Sequence, residues 1–114
     1  MASIVVTYKT KVVKNHAIEP QSTVTIGRHP ENDIIIDNRL VSAHHAKIVQ
    51  TQNGLQLVDL NSTNGTYVNG AKITEINIEH GDKILLGFSS VFMFAIQDSL
   101  ETKFQMNLYE SSIK

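Results

Sequence analysis

The apolar residues of this chain fall into runs of three to five, rich in β-branched and aromatic side chains and bounded by Gly, Asn, Asp, Pro or Ser. Ile4-Val5-Val6, Val24-Thr25-Ile26, Ile34-Ile35-Ile36, Ala46-Lys47-Ile48-Val49, Leu55-Gln56-Leu57-Val58, Ile84-Leu85-Leu86 and Phe92-Met93-Phe94-Ala95-Ile96 are these runs. No run before residue 97 keeps a helical repeat, so the pattern predicts short strands. Turn chemistry supports this: Asn53-Gly54 and Asn69-Gly70 are hairpin pairs, and Ser89-Ser90 separates two apolar runs. Many short, closely spaced strands predict an all-β domain, a sandwich or a barrel. The tail differs. Leu100, Phe104 and Leu108 recur at i, i+4, i+8 behind Ser99 as an N-cap, which fits either a short C-terminal helix or a linker. The expected division is a domain over 1–97 and an extension over 98–114.

Composition removes several classes of function. A chain of 114 residues supports one hydrophobic core. The net charge of −1 supplies no field to draw in nucleic acid or an acidic membrane, so any anion site must be local. With no cysteine, disulfides, thiolate metal sites and cysteine catalysis are excluded. The N-terminus lacks the basic and apolar regions of a signal peptide, and no apolar run approaches spanning length, so a cytoplasmic protein is the default.

Three polar clusters interrupt the strand pattern, each at a strand end: Gly27-Arg28-His29-Pro30, Val41-Ser42-Ala43-His44-His45, and the long stretch Asp59-Leu60-Asn61-Ser62-Thr63-Asn64-Gly65-Thr66-Tyr67-Val68-Asn69-Gly70. Loops at one edge of a rigid sandwich can present such residues together. The clusters offer a guanidinium, hydroxyls, carboxamides and glycine backbone, with Asp59 their one carboxylate. That inventory suits a dianionic tetrahedral ligand, which an arginine fork grips while hydroxyls and backbone amides take the remaining oxygens. His29 and His44 lie near the same loops, but no carboxylate or third histidine at a ligand-like interval accompanies them, so no metal site is expected.

The ordered set Gly27-Arg28, Ser42-Ala43-His44-His45 and Ser62-Thr63-Asn64-Gly65-Thr66 with Val68-Asn69-Gly70 resembles the forkhead-associated (FHA) domain, a phosphothreonine-binding family. The resemblance covers about residues 3–97 and implies a two-sheet β-sandwich of the FHA/SMAD-like kind. It also implies that Arg28, Ser42 and Thr63 hold the phosphate while Asn64 bonds the peptide main chain. Gly27, His45, Gly65 and Asn69 then support the loops, and Arg39 and Ala43 are specificity contacts, as are loop residues in the stretch from Thr74 to Gly81. At Ala43 the family usually has a polar side chain; here only the backbone N–H is offered, and Arg39 or Lys47 could compensate. The implied partners are a phosphothreonine-containing protein and an upstream serine/threonine kinase, with no cofactor and no catalysis. Two other readings compete. A hydrolase could use Ser42 with His45 as base, although alternation sends residues three apart to opposite faces of a strand unless the segment bends. A structural or oligomerising sandwich would leave the phosphate site unused.

Overall fold

The computed structural model describes residues 2–8, 11–87 and 92–98, with the side chains of 8, 11–13 and 92–98 left undescribed. The expected tail helix and the Ser89-Ser90 turn lie outside these residues. All regular structure among them is strand: β1 (Ala2–Tyr8), β2 (Lys11–Ala17), β3 (Thr23–Gly27), β4 (Ile34–Ile35), β5 (Ala46–Thr51), β6 (Gly54–Asp59), β7 (Thr66–Val68), β8 (Ala71–Ile73), β9 (Glu75–Ile78), β10 (Lys83–Leu86) and β11 (Phe92–Asp98). They form two sheets, ordered β2-β1-β11-β10-β7-β8 and β4-β3-β5-β6-β9. The expected sandwich is therefore the observed architecture.

Period-two alternation decides which side chains go inside. In β5, Ala46 and Ile48 are buried and Lys47 is partly exposed; in β6, Leu55 and Leu57 are buried on either side of Gln56. Ala2, Ile4, Val6, Val68, Ile84 and Leu86 from one sheet meet Val24, Ile26, Ala46, Ile48, Leu55 and Leu57 from the other in a single cluster. Each large aliphatic side chain so buried contributes about 1.5–3 kcal/mol. Lys47, a possible stand-in for a side chain at 43, is a sheet residue pairing with Thr25 and Val58 and does not lie on a loop.

Four strands had weak signals. β2 offers only Val12-Val13 as an apolar pair, β7 and β8 are three residues each, and Glu75, Ile76 and Asn77 of β9 are all exposed. The stretch Thr74 to Gly81, read as a specificity loop, thus contains the edge strand β9, whose Glu75–Ile78 pair with Leu55–Val58. At Asn69-Gly70 the hairpin forms as its residues require. Both have positive φ, 50° and 89°, the type I′ combination that matches strand twist, and Val68 pairs with Ala71 across them. The other hairpin reverses at Gln52-Asn53, with Gly54 already paired with Thr51.

Register gathers the three polar clusters at one end. Ile26, Ala46 and Asp59 are successive cross-strand partners, so the end of β3, the start of β5 and the end of β6 lie side by side. In the other sheet Thr66 pairs with Leu86, where β7 starts and β10 ends.

Candidate functional site

The first two loops are joined through backbone. Arg28 N–H donates to the Ser42 carbonyl (3.0 Å) and His29 N–H to the Ala43 carbonyl (3.0 Å). This requires close approach at Gly27, where a Cβ would collide with the Ala43 carbonyl oxygen and with Nδ2 of Asn32. Gly27→Ala is therefore expected to lower unfolding free energy by about 1–3 kcal/mol as the loops are pushed apart. Urea denaturation would show it, and an unchanged midpoint would mean that the loops yield freely.

The second and third loops meet at Ser42. Its Oγ accepts the Thr63 N–H (3.1 Å), which leaves the hydroxyl proton free to be donated elsewhere. Asn64 Nδ2 donates to the Leu40 carbonyl (3.0 Å), and its Oδ1 has no partner among the described residues. Arg28 and Thr63 are exposed, and the Arg28 guanidinium has no partner among the described residues. Arg28, Ser42, Thr63 and Asn64 thus sit on three loops that bond directly to one another.

Beneath them lies His45, fully buried. Its Nδ1 accepts the Ser42 N–H (3.0 Å), so the proton resides on Nε2, which donates to the Gly65 carbonyl (2.8 Å). That carbonyl also accepts the Gly87 N–H (2.8 Å). Burial pushes the imidazole pKa below its ordinary 6.5, outweighing the Gly65 bond and the Asp59 charge, which both act to raise it. The segment does bend so that the ring of His45 reaches Ser42, but it reaches the amide instead of the hydroxyl. Both ring nitrogens are engaged, and neither is placed to take a proton from Ser42 Oγ.

The third loop is organised by Asp59, whose role the sequence did not disclose. Its carboxylate accepts the Ser62 N–H (3.1 Å), the Ser62 hydroxyl (2.6 Å) and the hydroxyl of fully buried Thr66 (2.7 Å). Ser62 Oγ in turn accepts the Gly65 N–H (3.0 Å), closing the turn that carries Thr63 and Asn64. Burial acts to raise the Asp59 pKa, but the Ser62 and Thr66 bonds and the nearby His45 together bring it below the ordinary 3.8. An Asp followed three residues later by Ser is a local turn signal that could have marked it.

The remaining candidates divide. Arg39 is exposed in a turn closed by the Val41 N–H to Asn38 carbonyl bond (3.0 Å), next to the Leu40 that meets Asn64. Ala43 is exposed. Asn69 lies at the far end of β7 from the 59–65 loop. Its Nδ2 donates to Asp82 (3.0 Å) and its Oδ1 accepts the Lys83 N–H (3.1 Å). It ties the β7–β8 hairpin to the loop before β10, and so does not shape the turn that presents Thr63 and Asn64. His29 and His44 stack with ring centroids 5.1 Å apart. No group of three or more potential metal ligands occurs among the described residues.

One residue missed in the sequence is Asn32. Although 94% of its surface is buried, as its 6% relative exposure shows, it reads in sequence as one more turn-former of Pro30-Glu31-Asn32-Asp33. Its Nδ2 donates to the carbonyls of both His29 (2.8 Å) and Ala43 (2.7 Å).

A β-sandwich with Gly-Arg, Ser-x-x-His and Asn-Gly-Thr loops bonded together at one end is the build of an FHA domain. The chain belongs to that family, whose model matches residues 24–87. Among curated relatives, the chain is 43% identical over 68 residues to the ABC transporter ATP-binding/permease protein Rv1747 of Mycobacterium tuberculosis, covering 60% of this chain and 8% of that protein. It is 42% identical over 74 residues to the oxoglutarate dehydrogenase inhibitor of Corynebacterium efficiens, covering 64% of this chain and 52% of that one. The chain thus spans about half the length of the second relative and a small part of the first. A solved structure from a structural and functional analysis of phosphothreonine-dependent FHA domain interactions superposes with a TM-score of 0.72 at 27% identity, covering 84% of this chain and 96% of the other.

Proposed function

We propose that this chain is a phosphothreonine-peptide-binding module, holding the phosphate between Arg28, Ser42 and Thr63 and the peptide main chain at Asn64. The observation that carries this reading is the Thr63 N–H to Ser42 Oγ bond at 3.1 Å. It joins opposing loops while leaving the serine proton to donate to a phosphate oxygen, beside an arginine whose fork is free among the described residues. Asn64 keeps Oδ1 to accept a peptide N–H, which fixes register. Gly27, His45 and Gly65 support the loops, and Arg39 and the Ala43 backbone contact the ligand as specificity elements. The superposable structure studied for phosphothreonine-dependent interactions supports the same ligand class.

The module does no chemistry of its own: His45 spends both nitrogens on loop backbone, so Ser42 has no base. Its partner is a protein phosphorylated on threonine by a serine/threonine kinase, not nucleic acid or a membrane. Among the described residues no helix is long and apolar enough to cross a membrane, and the setting proposed is the cytoplasm. The binding domain spans 1–97, with 98–114 an extension.

The test is titration with a phosphothreonine peptide library, then with the best peptide, its phosphoserine twin and its unphosphorylated form. The phosphothreonine form should bind, the unphosphorylated form should not, and the phosphoserine form should bind more weakly. Losing the γ-methyl forfeits roughly 0.8 kcal/mol, about fourfold in affinity. Equal binding of all three forms, or no binding across the library, would sink the reading.

A further inference from the structure

Resting on that reading, we propose that Asn32 is a positioning residue of the phosphate site, fixing the main chain of Ser42-Ala43-His44 through a two-donor bridge between the first and second loops. Asn32 sits in the β3–β4 loop with its carboxamide between the carbonyls of His29 (2.8 Å) and Ala43 (2.7 Å). Both neighbours are acceptors, so the NH2 must face them and the amide orientation is not open to choice. Both of its hydrogens are used. The cost is on the other side: Oδ1 is buried without a hydrogen-bond partner among the described residues. A side chain retained only to fill space would carry no such orphan, since an apolar group of the same size packs without it.

Both carbonyls of the bridge accept two bonds, since His29 O also takes the Asn32 backbone N–H (3.1 Å). Ala43 O accepts the His29 N–H (3.0 Å) and Asn32 Nδ2 (2.7 Å) together. Because a trans peptide places C=O and the following N–H on opposite sides, pinning Ala43 O turns the His44 N–H away from the first loop. Arg28 N–H pins the Ser42 carbonyl (3.0 Å), which turns the Ala43 N–H away in the same manner. Neither the Ala43 nor the His44 amide has a partner among the described residues. At a position with no side-chain donor, backbone orientation decides what residue 43 can offer an anion, and Asn32 helps set it. Gly27 is the complement, since a Cβ there would enter the space of Asn32 Nδ2.

Isosteric replacement separates positioning from packing. Asn32→Asp keeps the shape but sets oxygens against two carbonyls when ionised, and regains one O–H donor when protonated; Asn32→Ala has neither property. At pH 7.5, phosphothreonine-peptide affinity should fall at least tenfold in Asn32→Ala and further in Asn32→Asp, with both proteins folded by circular dichroism. Between pH 7.5 and 5.5 the Asp variant should recover relative to the Ala variant. The peptide phosphate and the neighbouring side chains of Arg28, His29, Glu31 and His44 are common to both proteins, so the ratio of the two affinities reports on the introduced carboxyl group and its interactions with them. In the wild type, the Asn32 NH2 protons should exchange with solvent far more slowly than those of exposed Asn61. Wild-type affinity in a folded Asn32→Ala protein, an Asp-to-Ala ratio that is flat with pH, or Asn32 protons exchanging like those of Asn61 would each overturn the inference. Where either variant fails to fold, Asn32→Ser, which keeps one donor, takes its place, and wild-type affinity in that folded protein overturns the inference. Wild type that binds no peptide sinks the functional reading, whereas wild type that binds while its Asn32 variants bind equally well sinks only this one.

Discussion

Arg28→Ala should weaken phosphothreonine-peptide binding by a hundredfold or more while leaving the thermal midpoint of the free protein unchanged. The side chain is exposed and bonded to nothing among the described residues, and the contact residue 28 does make, its N–H to the Ser42 carbonyl at 3.0 Å, belongs to backbone that alanine retains. Truncation therefore removes no native interaction that stabilises the loops. In the complex, two charge-assisted bonds at about 1.5–3 kcal/mol each are lost, which corresponds to roughly two to four decades of affinity. Arg28→Lys should fall between, because an ammonium keeps the charge but not the planar fork. Calorimetric titration beside a thermal melt reads both quantities. A folded Arg28→Ala protein that binds within threefold of wild type would remove Arg28 from the site, and an Arg28→Ala protein that melts early would mean the guanidinium has a structural partner.

What was legible in the sequence follows from the range of the interactions. The strands of the core announced themselves because alternation is local: Val24 and Ile26, or Leu55 and Leu57, can be read without knowing what they meet. The edge strand β9 was harder to read so, since Glu75-Ile76-Asn77-Ile78 alternates over only two apolar residues, of which only Ile78 is buried. In the site, residue types were visible but pairings were not. Nothing near Ser42 in sequence says that its hydroxyl receives the amide of Thr63, 21 residues away. Asn69 was misplaced for the converse reason. It adjoins the 59–65 loop in sequence, but β7 carries it to the opposite end of the strand. Asp59 and Asn32 were overlooked because both types are ordinary in turns, and only burial and geometry distinguish a residue that organises a loop from one that merely permits it.

His45→Ala should cost about 2–5 kcal/mol of unfolding free energy, enough to threaten the fold of a domain this small. The substitution empties fully buried space, strands the Ser42 N–H, worth about 1–3 kcal/mol when buried without a partner, and removes one of the two bonds that the Gly65 carbonyl accepts. Gly65 keeps its bond from Gly87, so the larger loss falls on Ser42, the residue that joins the second and third loops. Acid should partly mimic the mutation. An imidazolium would turn an N–H toward the Ser42 N–H, which agrees with the lowered pKa of the folded state. With the folded value below the unfolded 6.5, the unfolded chain binds more protons as the pH falls, so the contribution is complete above 6.5 and lost below it. The loss accumulates at up to about 1.4 kcal/mol per pH unit until the folded value is reached. Asp59 adds a second, separate window: its folded pKa lies below 3.8, so its contribution is present above 3.8 and lost as the pH falls further. Urea unfolding from pH 8 to 5 should show wild type losing stability through the first window and His45→Ala, or His45→Gln if alanine does not fold, lacking that share of the slope. A wild-type stability that stays level over this range, or a variant that keeps the whole slope, would mean His45 is not the neutral support on which Ser42 and Gly65 rest.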